Sequence, residues 1–234
     1  MAGFVGTTTK RRTGLRMYEK KLIFLLDILG FRKLIMSDPT IQELERVRGI
    51  LEEWSYNTQS SRTDFQMTVL SDAFIVSTNS TVASLANGLF STQGLWWAYL
   101  SKLQLPLRGV IHVGEIWHRG NVVFGPGLIE AHCLEQKVAK FPRIIFSESV
   151  NELLQELNNK EFKFYEKDYD GKYFVNVFSE PLWRSGYEKQ TGMAFGSNLQ
   201  LCENVVKGRQ KTEDQGIEEK WCWLQEKWAR AASD

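Results

Sequence analysis

The chain has 234 residues, 43% of them hydrophobic and 24% charged, with a formal net charge of +1. That composition suits one globular domain with or without appendages. It supplies no global field for nucleic acid or a membrane surface, and no apolar run approaches the ~20 residues that span a bilayer. Three widely spaced cysteines, Cys133, Cys202 and Cys222, with no CxxC, argue against a disulfide framework or a zinc site and fit reduced thiols in a cytosol.

Residues 1–20 are basic and lack an apolar signal core, and read as a flexible arm. Leu22 to Leu26 predicts a buried strand that ends at Asp27; the chain then turns through Gly30 and resumes with helical spacing. Asp38-Pro39-Thr40 predicts a helix start, followed by apolar residues at Ile41, Leu44, Val47, Ile50, Leu51 and Trp54. "FQMTVL" and "AFIVST", separated only by Ser71-Asp72, predict a hairpin with an acid at its tip. A long helix over "STVASLANGLFSTQGLWWAYLSKL" leads into the strand "LPLRGVIHVGEIW", with Arg108, Val110 and His112 on one face. The order β-α-β-β-α-β is ferredoxin-like, an α+β fold in which helices cover one face of an antiparallel sheet. Beyond it come a helix from Leu128 to Ala139, a strand from Arg143 to Ser147, a helix over "VNELLQEL", and strands "FKFYE" and "YFVNVF" around an Asp170-Gly171 turn. Residues 204–220 are polar and read as loop. The last predicted helix, in "KWCWLQEKWAR", puts Trp221, Leu224 and Trp228 on one face, to dock on the body or on a partner subunit. The expected division is residues 1–20 as arm, 21–180 as catalytic domain and 181–234 as C-terminal extension.

In this order strand 1 lies beside strand 3, so Asp27 and Asp72 meet at one end of the sheet although 45 residues separate them (72 − 27). Adjacent carboxylates repel unless a cation lies between them. Mg²⁺ or Mn²⁺, two ions per site, fits that role, because these ions take few protein carboxylates and complete their shells with phosphate and water. The bland alternative is that Asp27 caps a helix and Asp72 occupies a turn. The backbone amides of Leu29, Gly30 and Phe31, at a turn into a helix, form a candidate anion cradle.

"FLLDILGF" and "LSDAFIVST" resemble the two metal motifs of class III nucleotide cyclases, "LPLRGVIHVGEI" their dimer-face strand and "VFGPGLIEAHCLE" the helix after it. "GPGLIEAHCLE", "AKFPRIIFSESV" and the tail "KWCWLQEKW" resemble more narrowly the pyrimidine cyclases of Pycsar anti-phage systems. The resemblance covers about Lys21 to Phe178. It implies a homodimeric cytoplasmic enzyme, with no nucleic-acid or membrane partner, whose sites lie at the interface. That enzyme converts UTP, or alternatively CTP, into a 3′,5′-cyclic nucleotide and diphosphate, and the product acts on a separate effector. Asp27, Asp72 and the Ile28 carbonyl would hold the ions. Ile129 and Cys133 stand where purine cyclases place an Asn and an Arg, so Arg108, Lys140, Arg143, Lys167 and Lys172 become candidate replacements, with Arg108 the catalytic choice and Lys172 a substrate contact. Thr68 stands at a purine-reading position, with Phe65 and Gln66 beside it and Asn121 and Val122 at the partner position. Two other readings stay open: a non-catalytic nucleotide sensor on the same fold, and a palm-like enzyme joining nucleotides between molecules.

Overall fold

The computed structural model describes residues 17–59, 64–157, 164–178 and 195–231, without side chains at 53–59 and 195–199. The predicted arm therefore lies almost wholly outside the described residues, as do the Trp54 side chain and the start of "FKFYE". The elements are β1 (Glu19–Ile28), α1 (Phe31–Met36), α2 (Ile41–Gln59), β2 (Gln66–Leu70), β3 (Ala73–Asn79), α3 (Val82–Leu103), β4 (Leu107–Arg119) and β5 (Val122–Phe124). They continue with α4 (Pro126–Val138), β6 (Ile144–Phe146), a 3₁₀ turn (Glu148–Val150), α5 (Asn151–Leu157), β7 (Tyr165–Lys167), β8 (Tyr173–Val175), α6 (Phe195–Gly208) and α7 (Gln215–Ala231).

The strands form one sheet in the order β2-β3-β1-β4-β6-β8-β7, with β5 paired to β4. Its first four strands are antiparallel neighbours, so the βαββαβ core is present in the expected order. Beyond it β6 runs parallel to β4, and β8 and β7 extend the sheet as an antiparallel pair.

Alternation along β1 builds two faces. Leu22, Phe24, Leu26 and Ile28 point into the main core with Phe74, Val76, Leu85, Leu89, Trp96 and Leu100. Trp96 and Trp97 are fully buried, and their indole N–H groups donate to the Leu107 and Val177 carbonyls at 3.1 and 2.7 Å. An indole N–H withdrawn from water needs such a partner. Helix starts follow local chemistry: Thr40 and Glu43 close a capping box on α2, and the Thr81 hydroxyl accepts from Ser84 N–H on α3.

The second face is not bare. Leu25 and Ile75 pack there against Ala131 of α4, with Leu128 and Val123 alongside. Helix α4 runs back along β4. Gly127 lies against Gly114, where a Cβ on either glycine would come within 2.8 Å of the other's backbone. Farther along, Glu130 meets His112 and Glu135 meets Arg108.

The C-terminal region differs most from the sequence reading. Residues 204–208 and 215–220, read as loop, are helical. Their apolar stripe is narrow and was masked by polar neighbours: Cys202 and Val206 of α6 are buried, and the Asp214 carboxylate accepts from the Ile217 N–H at the start of α7. The aromatic helix spends its apolar face on its own chain. Trp228 stacks on Trp96 at 6.3 Å and Trp223 on Phe141 at 5.8 Å. A buried ionic cluster fastens it. Asp168 takes Lys227 Nζ at 2.6 Å, the Trp223 indole N–H at 3.0 Å, and Arg143, which also pairs with Asp170. No described helix is long and apolar enough to cross a membrane.

Candidate active site

Strand β1 carries Asp27 one residue short of its end, and its register opposes Asp27 to Ala73 on β3 and Arg108 on β4. Asp72 immediately precedes Ala73 in the tight β2–β3 turn. The Ile28 N–H donates to the Asp72 carbonyl at 3.0 Å. That bond continues the β1–β3 ladder to the turn and ties the two acid-bearing backbones together at a sequence separation of 44 (72 − 28). Ser71, at φ 57°, makes the sharp turn that brings Asp72 back to the sheet.

Arg108 closes the third side. Its Nε donates to Asp27 Oδ2 at 2.8 Å and lies 2.9 Å from Glu135 Oε1. Asp27 and Arg108 keep about a quarter of their side chains accessible (23% and 28%), whereas Glu135 keeps 6%. Burial pushes the Glu135 carboxyl above its ordinary range; Arg108 opposes the shift and the Asp27 charge adds to it. A guanidinium between two carboxylates shows that this corner attracts and holds positive charge.

The donor set fits a divalent cation that brings its own substrate ligands. Among the described residues no group of three or more His, Cys, Asp or Glu is gathered to hold a metal unaided. Asp27 and Asp72 supply two hard oxygen donors at one lip of the sheet, as an octahedral ion finished by phosphate and water requires.

The anion cradle is only partly available. The Leu29 N–H donates to the Pro106 carbonyl at 3.0 Å and is spent there. Gly30, at φ 86°, adopts the left-handed conformation that aims the chain into α1, leaving the Gly30 and Phe31 amides as the candidates.

The remaining predicted residues fall in different places. Phe65 is a core side chain, 8% exposed. Lys172 sits on the β7–β8 turn, where its carbonyl and N–H join Asp168 and Asp170. That is three strands from β1, about 15 Å across the sheet. Arg143 is buried in ion pairs, Ile129 and Cys133 are exposed on α4, and Lys140 is exposed beyond its end.

Thr68 meets the turn that carries Asn121 through a feature the sequence did not assign. Gly120-Asn121 turns β4 into β5, and this hairpin folds across the sheet onto β2. There the Gly120 N–H donates to Gln66 Oε1 at 3.2 Å, and the Thr68 hydroxyl lies 3.4 Å from the Gly120 carbonyl. His118 is pinned beneath, with Nε2 3.0 Å from Thr68 Oγ1 and Nδ1 2.9 Å from Ser77 Oγ. Burial lowers its pKa to about 4, so the ring is neutral at pH 7. The hairpin and the start of β1 enclose a cleft of about 390 Å³ lined by Lys21, Asp64, Gln66, Ser77, Trp117 and His118, among others. The signal available in the sequence was Gly-Asn between two β-rich runs. Glu135 was missed too, although an acid four residues after Ala131 on the buried stripe of α4 is the kind of misfit that marks a buried charge pair.

No protein-family model matches the chain, and no curated protein matches it. Several solved structures are similar to this chain at low identity. The adenylyl cyclase CyaB from P. aeruginosa is 16% identical with a TM-score of 0.48, over 70% of this chain and 98% of that one. The non-canonical dimeric guanylyl cyclase domain of RhoGC from Blastocladiella emersonii is 14% identical with a TM-score of 0.47, over 67% and 93%. The guanylate cyclase domain of RhGC from Catenaria anguillulae, solved in complex with GTP, is 14% identical with a TM-score of 0.44, over 68% and 97%.

Proposed function

We propose that this chain is a metal-dependent pyrimidine nucleotide cyclase that forms 3′,5′-cyclic UMP and diphosphate from UTP. The observation that carries the reading is the joining of Asp27 and Asp72 at one lip of the sheet by the Ile28–Asp72 backbone bond, with a cation already drawn to Asp27. The four motifs that resemble class III cyclases, in their order along the chain, support the reaction type. The narrower resemblance to Pycsar enzymes supports the pyrimidine, a homodimer in the cytoplasm, and a product that acts on a separate effector in anti-phage defence.

In this reading the ribose 3′-oxygen attacks the α-phosphorus as the bond to the β-phosphate bridge breaks, releasing diphosphate and one proton. Asp27 and Asp72 would hold Mg²⁺ or Mn²⁺, two ions per site, with the Ile28 carbonyl as a further ligand, and ions bound there would supply acidification of the attacking hydroxyl and charge neutralisation at the departing diphosphate. The Gly30 and Phe31 amides face the triphosphate, and Arg108 keeps a positive charge beside it. Thr68 and Asn121 of a second copy meet the base. Thr68 replaces a charged purine reader, and its hydroxyl can donate or accept, so it does not by itself separate uracil from cytosine. The choice of UTP over CTP rests on the resemblance.

One observation favours a second reading. Ile129 and Cys133, exposed on α4, offer no polar hold for ribose or phosphate, as would suit a nucleotide-binding module without turnover. Competition among the four triphosphates at equal concentration, with Mn²⁺ and products identified by mass, tests the substrate. Cyclic UMP is expected as the main product. Cyclic CMP overturns the choice of base, and cyclic AMP or cyclic GMP overturns the pyrimidine assignment.

A further inference from the structure

Arg108 Nε carries one N–H and has two carboxylate oxygens within reach, Asp27 Oδ2 at 2.8 Å and Glu135 Oε1 at 2.9 Å. The hydrogen bond goes to Asp27. Glu135 Oε1 is buried, lies at ion-pair distance, and has no hydrogen bond of its own. A buried carboxylate oxygen without a donor is an uncommon and costly arrangement. Here the donor it lacks is already beside it, engaged by a competitor. Glu135 is also held in place. Helix α4 cannot back away from β4 without opening the Gly127–Gly114 contact, and Ala131 is fully buried one turn before it.

We propose that Glu135 is a positioning residue that retains Arg108 when Asp27 is taken by a cation. The Nε–H passes from Asp27 to the waiting Glu135 oxygen, and the guanidinium stays at the lip of the sheet. Without Glu135, Arg108 would either keep competing for Asp27 or be expelled into solvent by the incoming charge. With it, the bond given up at Asp27 is replaced by a charge-assisted bond of the same kind, with little movement of the guanidinium. The same charge that neutralises Asp27 at rest thus remains available to the triphosphate. The inference rests on the reading of Asp27 as a metal ligand.

The test is a thermodynamic cycle on Mn²⁺ binding, followed by electron paramagnetic resonance without turnover, in the wild type, Arg108→Met, Glu135→Met and the double variant. Removing Arg108 frees Asp27 and should tighten Mn²⁺ binding; removing Glu135 strands Arg108 on Asp27 and should weaken it, each by about tenfold, the scale of coupling between touching residues. In the double variant the Glu135 effect should vanish, so that it binds like Arg108→Met. Independent effects, with the double variant returning to the wild-type affinity, would overturn the role of Glu135. Wild-type protein that binds no Mn²⁺ even in the presence of 3′-deoxy-UTP, which supplies the triphosphate but cannot cyclise, would overturn the metal reading itself. Because Arg108→Met leaves Glu135 buried without a counter-charge and can fail to fold, a second measurement uses the unaltered chain. The Arg108 Nε–H resonance should move on addition of Mg²⁺, and a resonance that stays put under saturating Mg²⁺ would refute the handover.

Discussion

Side chains at this site are legible in the sequence to the extent that strand order fixes them. Asp27 and Asp72 could be paired from the βαββαβ order, because register within a sheet turns distant positions into neighbours. Arg108 could be placed on its strand but not against Asp27, which needs the register of β4 on β1, nor against Glu135, which depends on where α4 lies. His118 was the least legible: its hydroxyl partners, Thr68 and Ser77, come from two strands that do not adjoin its own. It carries a pH prediction. Its folded pKa, about 4, lies below the unfolded value, so its contribution to stability is complete above about pH 6.5 and is lost as pH falls toward 4. Between pH 6.5 and 5 the wild type should lose about 1.5 kcal/mol from this group, and His118→Gln should show a correspondingly flatter dependence in urea unfolding. Equal slopes would mean that His118 titrates normally in the folded chain.

Strong periodicity made α3 and the aromatic half of α7 readable, while α6 and the first turns of α7 were hidden. A helix with two or three buried positions and a charged remainder looks like loop until the surface it docks on is known. The tail of α7 was seen to need such a surface, and the sequence left open whether the body or a partner provides it; the stacks on Trp96 and Phe141 assign it to the body. Trp228→Ala should therefore cost about 3–5 kcal/mol of stability, the range for emptying a buried indole site. A loss below about 1 kcal/mol, accompanied by dissociation of an oligomer, would instead place this helix on a partner. The cluster behind it adds acid sensitivity. Burial works to raise the Asp168 pKa, but Lys227, the Tyr169 N–H and Arg143 together hold it below the ordinary carboxylate range. Its stabilisation is present above the unfolded carboxylate pKa and is lost as pH falls through the folded value.

At the scale of the whole molecule, the covered second face narrows what a dimer can use. Helix α4 and the β4–β5 hairpin already occupy much of it, so association of two copies would join these elements rather than two bare sheets. If the acids of one copy act with Thr68 of the other, two inactive variants should rescue each other. Mixing Asp72→Asn with Thr68→Arg, after exchange of subunits, should restore about a quarter of wild-type activity, because half the dimers are mixed and each has one intact site. No rescue despite confirmed exchange would place both halves of the site in one copy.

In the function proposed above, the paired acids cyclise UTP. The most direct measurement is the product formed from UTP and Mn²⁺ by the wild type beside Asp72→Asn, resolved by mass. The wild type should yield cyclic UMP and diphosphate in equal amounts, and Asp72→Asn, folded by circular dichroism, should fall by at least about a hundredfold, the scale of losing an essential charge-stabilising group. Linear or dinucleotide products, bound but unchanged UTP, or near-normal turnover by Asp72→Asn would contradict it.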